Sequence, residues 1–196
     1  MTLPGLAGRT LLEADELSSM VRRFGQAISA DHPEGVVLVG ILKGSVCLVA
    51  DLAREISVPC AVDFLALSAY GAGGRRIRLS KDLEADVAGR SVVVAVDIVD
   101  SGLTVSYVRR LLSERGARST DVCTVLDRRP NRLLPVELRY VGLEIGDEYV
   151  VGYGLDYEER YRNLPMLLVI EPDNLGTSEP EEEDGRIASV HGLSGH

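Results

Sequence analysis

Apolar residues recur at helical spacing near the start of the chain. Leu17, Met20, Val21, Phe24 and Ile28 share one face of a 3.6-residue period, which predicts an amphipathic helix over Ala14 to Ala30. The pattern then changes. GVVLVGI (Gly35 to Ile41) is short, continuous and β-branched, the signature of a strand buried on both faces. SVCLVADLAREI reads as helix and CAVDFLAL as strand. SVVVAV is strand, TVSYVRRLLSERG is a helix ending at Gly116, and DVCTVL is strand. VELRYVGLEI, YVVGYGLD and PMLLVI are later strands. YGAGGRRIRLSKDL carries glycines and charges without a clear period and reads as a mobile loop. Strands alternating with helices predict an α/β fold, with a parallel sheet covered on both faces.

The last stretch has no such pattern. Gly176 to His196 is polar and holds Glu179, Glu181, Glu182, Glu183 and Asp184 against one basic residue, Arg186. It cannot bury enough apolar surface to order itself, so a disordered acidic tail is expected over 176–196, after a single domain over 1–175.

Composition narrows the function. The chain has 196 residues, 45% hydrophobic and 26% charged, enough for one sizeable core. A formal net charge of −9 argues against a nucleic-acid coat or an anionic membrane surface as partner. No apolar run approaches the ~18 residues of a membrane span, and the N-terminus lacks the apolar core of a secretory signal, so a cytoplasmic protein is expected. The three cysteines, Cys47, Cys60 and Cys123, are odd in number, widely spaced and set among apolar residues. They read as small buried hydrophobes, not as disulfides or a zinc site.

The candidate chemistry lies where SVVVAV hands over to the next helix. In an open parallel sheet ligands bind beyond the carboxyl ends of the strands. Asp97 and Asp100 fall there, followed by Ser101, Gly102 and Thr104. A small polar turn running into a helix start is a natural phosphate cradle. Carboxylates beside it make sense if the ligand also carries hydroxyl donors or arrives with a divalent cation; a ribose phosphate with Mg²⁺ meets both conditions. GILKGS lacks the upstream glycine of a Walker A loop, and GAGG is too short for a dinucleotide fingerprint.

VDIVDSGLT resembles the phosphoribosyl-pyrophosphate (PRPP) motif of type I phosphoribosyltransferases. VGILKGSVCLVADLAREI, VDFLALSAYG, KDLEADVAGRSVVVAVDIVDSGLTVSYV and VGLEIGDEYVVGYGLDYEERYRNLP are similar, in order, to the hypoxanthine-guanine subfamily. The resemblance runs from about Gly8 to Pro172. It implies a parallel-centred twisted sheet with flanking helices and a small hood, built from N-terminal residues and about 127–175. It also implies transfer of 5-phosphoribosyl from PRPP to hypoxanthine, guanine or xanthine, with Mg²⁺, in a homodimer or homotetramer.

Roles follow position by position. Asp100 matches the acid/base residue beside the purine imidazole nitrogen; a helix N-cap is the other role such a residue could have. Ser101, Gly102, Leu103 and Thr104 match the 5′-phosphate loop, and Asp97 the carboxylate that holds a ribose hydroxyl. Lys43 and Gly44 match the pyrophosphate loop, with a cis Leu42–Lys43 peptide expected. Arg162 matches a second pyrophosphate contact. Asp156, with Asp97, matches the residues around magnesium, and Asp156 also falls among those at the purine. Tyr149 matches the ring that stacks on the purine, and Val150 its backbone contact. Arg128 stands where the family reads the purine 6-oxo group with lysine. Val96 replaces the first of an acidic pair. Ala69 and Tyr70 replace the mobile-loop Ser-Tyr, in a loop shorter than usual. Two further readings are open: a catalytically weakened PRPP-binding regulator, and a transferase for another purine-like acceptor.

Overall fold

Five strands run parallel through the centre of the molecule, each leading out of or into a crossover. The computed structural model describes residues 8–70 and 76–171, so the tail expected over 176–196 lies outside the described residues. In chain order the elements are β1 (Gly8–Leu12), α1 (Ala14–Asp31), β2 (Val36–Leu42), α2 (Val46–Glu55), β3 (Cys60–Tyr70), β4 (Arg76–Lys81) and β5 (Ser91–Val99). Then come α3 (Leu103–Glu114), β6 (Ser119–Arg128), a 3₁₀ turn (Arg129–Asn131), β7 (Tyr140–Ile145), β8 (Tyr149–Val151) and β9 (Leu167–Ile170). The large sheet has the order β4-β3-β2-β5-β6-β7, with β4 alone antiparallel to its neighbour.

The continuous apolar runs are explained by two cores. In β2, Val36 and Leu38 join one cluster with Leu17, Ile28, Leu48 and Leu52 of α1 and α2. Val37 and Val39 join the other, with Val105, Val108 and Leu112 of α3. A strand covered on both faces has no position left for alternation. Helix α1 starts on a capping box, in which Glu13 and Glu16 each accept the other's backbone N–H.

Three expectations need correction. RIRLSK, read as part of a mobile loop, is strand β4, paired with β3 from Ala66↔Lys81 to Tyr70↔Arg76. Ile77 and Leu79 alternate with Arg76, Arg78 and Ser80 there, a period of two that the preceding glycines hid. Ala69 and Tyr70, expected on the mobile loop, are the last residues of β3; residues 71–75 of that loop lie outside the described residues. β5 also runs three residues past SVVVAV, so Asp97 is inside the strand and only Asp100 follows it.

A second, antiparallel sheet of order β1-β9-β8 joins the chain's start to its later part. Thr10 pairs with Leu168, and Val151 pairs with Leu168 from the other side. β7, which falls within the 127–175 stretch, belongs instead to the edge of the large sheet, next to β6. The free cysteines fit the absence of a disulfide framework, but only Cys123 is fully buried; Cys47 and Cys60 are half-buried.

Candidate active site

The carboxyl ends of β2 and β5 open onto a cavity of about 220 Å³, lined by Leu42, Gly44, Val96, Asp97, Asp100, Ser101, Gly102 and Thr104 among others. Its floor is the turn into α3. Gly102 is the helix N-cap, at φ 82°. That left-handed conformation suits glycine, and a side chain here would meet the Leu134 carbonyl at 2.7 Å. Asp100 is therefore not the cap. Its Oδ1 is buried without a partner, and its Oδ2 lies 3.6 Å from an Arg128 nitrogen, too far for a good hydrogen bond. The first N–H groups of α3 have no helical acceptor and face this end.

Arg128 ends β6. One guanidinium nitrogen donates to the Glu148 carbonyl at 2.7 Å, while its Nε is buried and unpartnered. It thus connects Asp100 to the entry of β8, where Tyr149 and Val150 begin the strand. Val150 is buried and Tyr149 is 42% exposed, its ring edge-on to Tyr157 at 5.6 Å. An exposed ring at the start of the strand that Arg128 joins to Asp100 is suited to a flat, polar-edged heterocycle.

On the other side the Leu42–Lys43 peptide is cis, as expected. Gly44 has no room for a side chain, since a Cβ would fall 1.6 Å from Asp97 Oδ2; at Gly154 a Cβ would fall 1.9 Å from the Gly44 carbonyl. This close approach joins the end of β2 to the turn after β8. Asp97 Oδ1 accepts the Ile98 N–H at 2.9 Å. Burial raises the Asp97 carboxyl above its ordinary pKa; Asp156 pushes the same way, against the Ile98 N–H and Arg162. Arg162 pairs with Asp156 at 2.7 Å and donates to the Gly154 carbonyl at 2.8 Å, and its Nε is buried and unpartnered.

The cavity brings together Gly44, Asp97, Asp100, Ser101, Gly102 and Thr104, Arg128 reaches toward Asp100 and the Glu148 carbonyl, and Arg162 pairs with Asp156, while Ala69 and Tyr70 end β3, the strand beside β2. Sequence reading missed three others. Glu159 lies 2.9 Å from Lys43 and 3.5 Å from Arg162, so one carboxylate bridges the two cations expected to hold pyrophosphate. Asp127 and Arg132 form an ion pair, 3% and 16% exposed, behind the Asp100 backbone. A carboxylate that folds back between two distant cations gives no pattern in sequence, and neither does a pair five residues apart across a 3₁₀ turn.

The profile of the phosphoribosyl transferase domain matches residues 10–158. The chain belongs to the phosphoribosyl transferase family. It is 41% identical over 180 residues to the hypoxanthine-guanine phosphoribosyltransferase of Mycobacterium tuberculosis, covering 86% of this chain and 89% of that protein. It is 42% identical over 158 residues to the hypoxanthine phosphoribosyltransferase of Escherichia coli, covering 78% and 89%. Among solved structures, a Bacillus anthracis hypoxanthine-guanine phosphoribosyltransferase with HEPES in its active site superposes with a TM-score of 0.81 at 34% identity, over 85% of this chain and 99% of that one. The Trypanosoma cruzi hypoxanthine enzyme in complex with its product IMP gives a TM-score of 0.82 at 29% identity, over 88% and 98%. None of the described helices is long and apolar enough to cross a membrane.

Proposed function

We propose that this transferase performs purine salvage, moving 5-phosphoribosyl from PRPP to N9 of hypoxanthine, with guanine or xanthine as further acceptors. The observation that carries this reading is Asp100: a carboxylate with an unpartnered buried oxygen, directly after β5, between the phosphate loop and Arg128. A carboxylate freed from capping can take the imidazole proton as the ring nitrogen becomes the nucleophile. Ser101 to Thr104 would hold the 5′-phosphate, and Asp97 a ribose hydroxyl. Lys43, Gly44 and Arg162 would receive the pyrophosphate. Tyr149 would stack on the base, the Val150 backbone would meet its edge, and Arg128 would donate to the 6-oxo group. Positioning both substrates and stabilising the separating charge is most of what such a reaction needs.

The donor set suits Mg²⁺. Among the described residues no three potential ligands cluster, but Asp97 and Asp156 are close enough for each charge to bear on the other. Mg²⁺ keeps several waters and is held by one or two carboxylates plus substrate phosphates, so a two-carboxylate site is sufficient. When bound, the ion would supply charge neutralisation at the pyrophosphate. Asp97 and Asp156 would orient its waters.

The test is direct. Purified protein is given PRPP, Mg²⁺ and each of a panel of purines, and nucleotide formation is read by mass. Inosine monophosphate is the expected first product. Binding of PRPP with no nucleotide from any purine would turn the reading to a non-catalytic regulator.

A further inference from the structure

A neighbouring segment braces the loop after β5 from outside. Arg132 lies just beyond the 3₁₀ turn and reaches back to the end of β5. Its Nε donates to the Asp100 carbonyl at 2.9 Å, and a terminal nitrogen reaches the Val99 carbonyl at 3.4 Å and the Asp127 carboxylate. The next two residues continue the contact: the Leu133 and Leu134 N–H groups both donate to the Ser101 carbonyl, at 2.9 and 3.1 Å. Arg129 takes the other oxygen of Asp127 at 3.3 Å, so that carboxylate is fixed from two sides.

The consequence follows from peptide geometry. In a planar trans peptide the C=O of one residue and the N–H of the next point in opposite directions. With the Asp100 and Ser101 carbonyls drawn to Arg132, Leu133 and Leu134, the Ser101 and Gly102 N–H groups turn away from that segment. They are left for an anion on the loop's other side. The same bonds fix the Asp100 backbone, and so the point from which its carboxylate projects.

We propose that Arg132 is a positioning residue for phosphoribosyl transfer: anchored by Asp127, it sets the phosphate-loop amides and the Asp100 carboxylate without touching either substrate. The proposal rests on the transferase reading above. Lysine cannot replace it, because a point charge cannot span two carbonyls and a carboxylate as the planar guanidinium fork does.

The experiment begins with wild-type turnover of PRPP and hypoxanthine, which tests the transferase reading alone. Arg132→Ala, Arg132→Lys and Asp127→Asn are then compared by steady-state kinetics, active-site titration and circular dichroism. For Arg132→Ala the loss of hydrogen bonds from a charged donor should raise KM for PRPP roughly ten- to a hundredfold. kcat should fall as well, and KM for hypoxanthine should stay near the wild-type value. Millimolar guanidinium ion should restore part of the lost kcat/KM in Arg132→Ala and none in Arg132→Lys. A merely structural role would lower the active fraction without moving KM and would not respond to guanidinium. If Arg132→Ala does not fold, Arg132→Lys carries the KM measurement. A PRPP KM within twofold of wild type in the folded variant, or a folded Arg132→Ala that guanidinium leaves unchanged, overturns the proposal.

Discussion

The Glu159 carboxylate is bound to the Lys43 ammonium at 2.9 Å, across 116 residues of chain. The hydrogen bond from Lys43, with the nearby Arg162, holds the Glu159 carboxyl below its usual range, so it stays charged at neutral pH. An anion on the expected pyrophosphate cations competes with pyrophosphate. Glu159 also sits in a left-handed backbone conformation, φ 61°, beside Glu158 at 52° and Tyr161 at 75°. We predict that Glu159→Gln lowers KM for PRPP by roughly two- to fivefold, the range for an exposed ion pair. Product inhibition by pyrophosphate should tighten in step. If neither constant moves, Glu159 yields its place to ligand at no cost.

Asp100 offers a cleaner separation of binding from chemistry. Its carboxylate makes no strong contact in the protein, so Asp100→Asn should leave melting temperature and PRPP affinity nearly unchanged. Turnover should fall by about 10²–10⁴, the usual contribution of a positioned acid/base. Near-wild-type kcat in this variant would remove the acid/base role.

Much of this site was legible because it coincides with pattern. The run from Val92 to Val96 is buried on both faces, and Ser101-Gly102 follows the strand where a helix begins. What could not be read were contacts between turns. RIRLSK looked like loop because its alternation is short and follows three glycines, and it becomes a strand only through pairing with Ala66 to Tyr70. β1 gave no strong signal either, since five residues at a small sheet's edge hold only Leu11 and Leu12 in partly buried positions. Arg128 stood out by resemblance, whereas Arg132, four residues on, depends on a fold-back that no periodicity encodes.

Asp63 predicts an acid limit to stability. The carboxylate is buried and accepts N–H groups of Phe64 at 2.7 Å, Glu84 at 2.7 Å and Ala85 at 2.8 Å, with Lys81 at 3.3 Å. Burial pushes its pKa up, but the amides of Ala85, Phe64 and Glu84 and the Lys81 charge outweigh it, and the result is lowered. A lowered folded-state pKa stabilises the protein fully above the unfolded value of about 3.9 and loses that contribution as pH falls through the folded value. We expect Asp63→Ala to cost on the order of 3 kcal/mol at pH 7, because it leaves buried N–H groups without an acceptor. The gap in melting temperature between wild type and Asp63→Asn should shrink as the pH is lowered below about 4. A gap that stays constant from pH 7 to pH 3 would show that charge is not what holds the segment after β4.

Val96 bears on how the donor is held. It is 5% exposed, packed with Val94, Val99 and Val105, and it lines the cavity beside Asp97. The resemblance places a carboxylate here, the first of an acidic pair toward the ribose. Val96→Glu would set a second negative charge next to a carboxyl whose pKa is already raised by burial. Without ligand the substitution should therefore lower the melting temperature, through desolvation and like-charge repulsion. With Mg²⁺ and PRPP present the deficit should shrink, because cation and ribose hydroxyls would partner both groups. One new hydrogen bond from a charged group contributes about 1.5–3 kcal/mol, so KM for PRPP should fall roughly ten- to a hundredfold. kcat should change little, the signature of binding added equally to ground and transition states. An unchanged or higher KM would mean that the apolar Val96 face suits the donor as it stands, and that Asp97 alone meets the ribose.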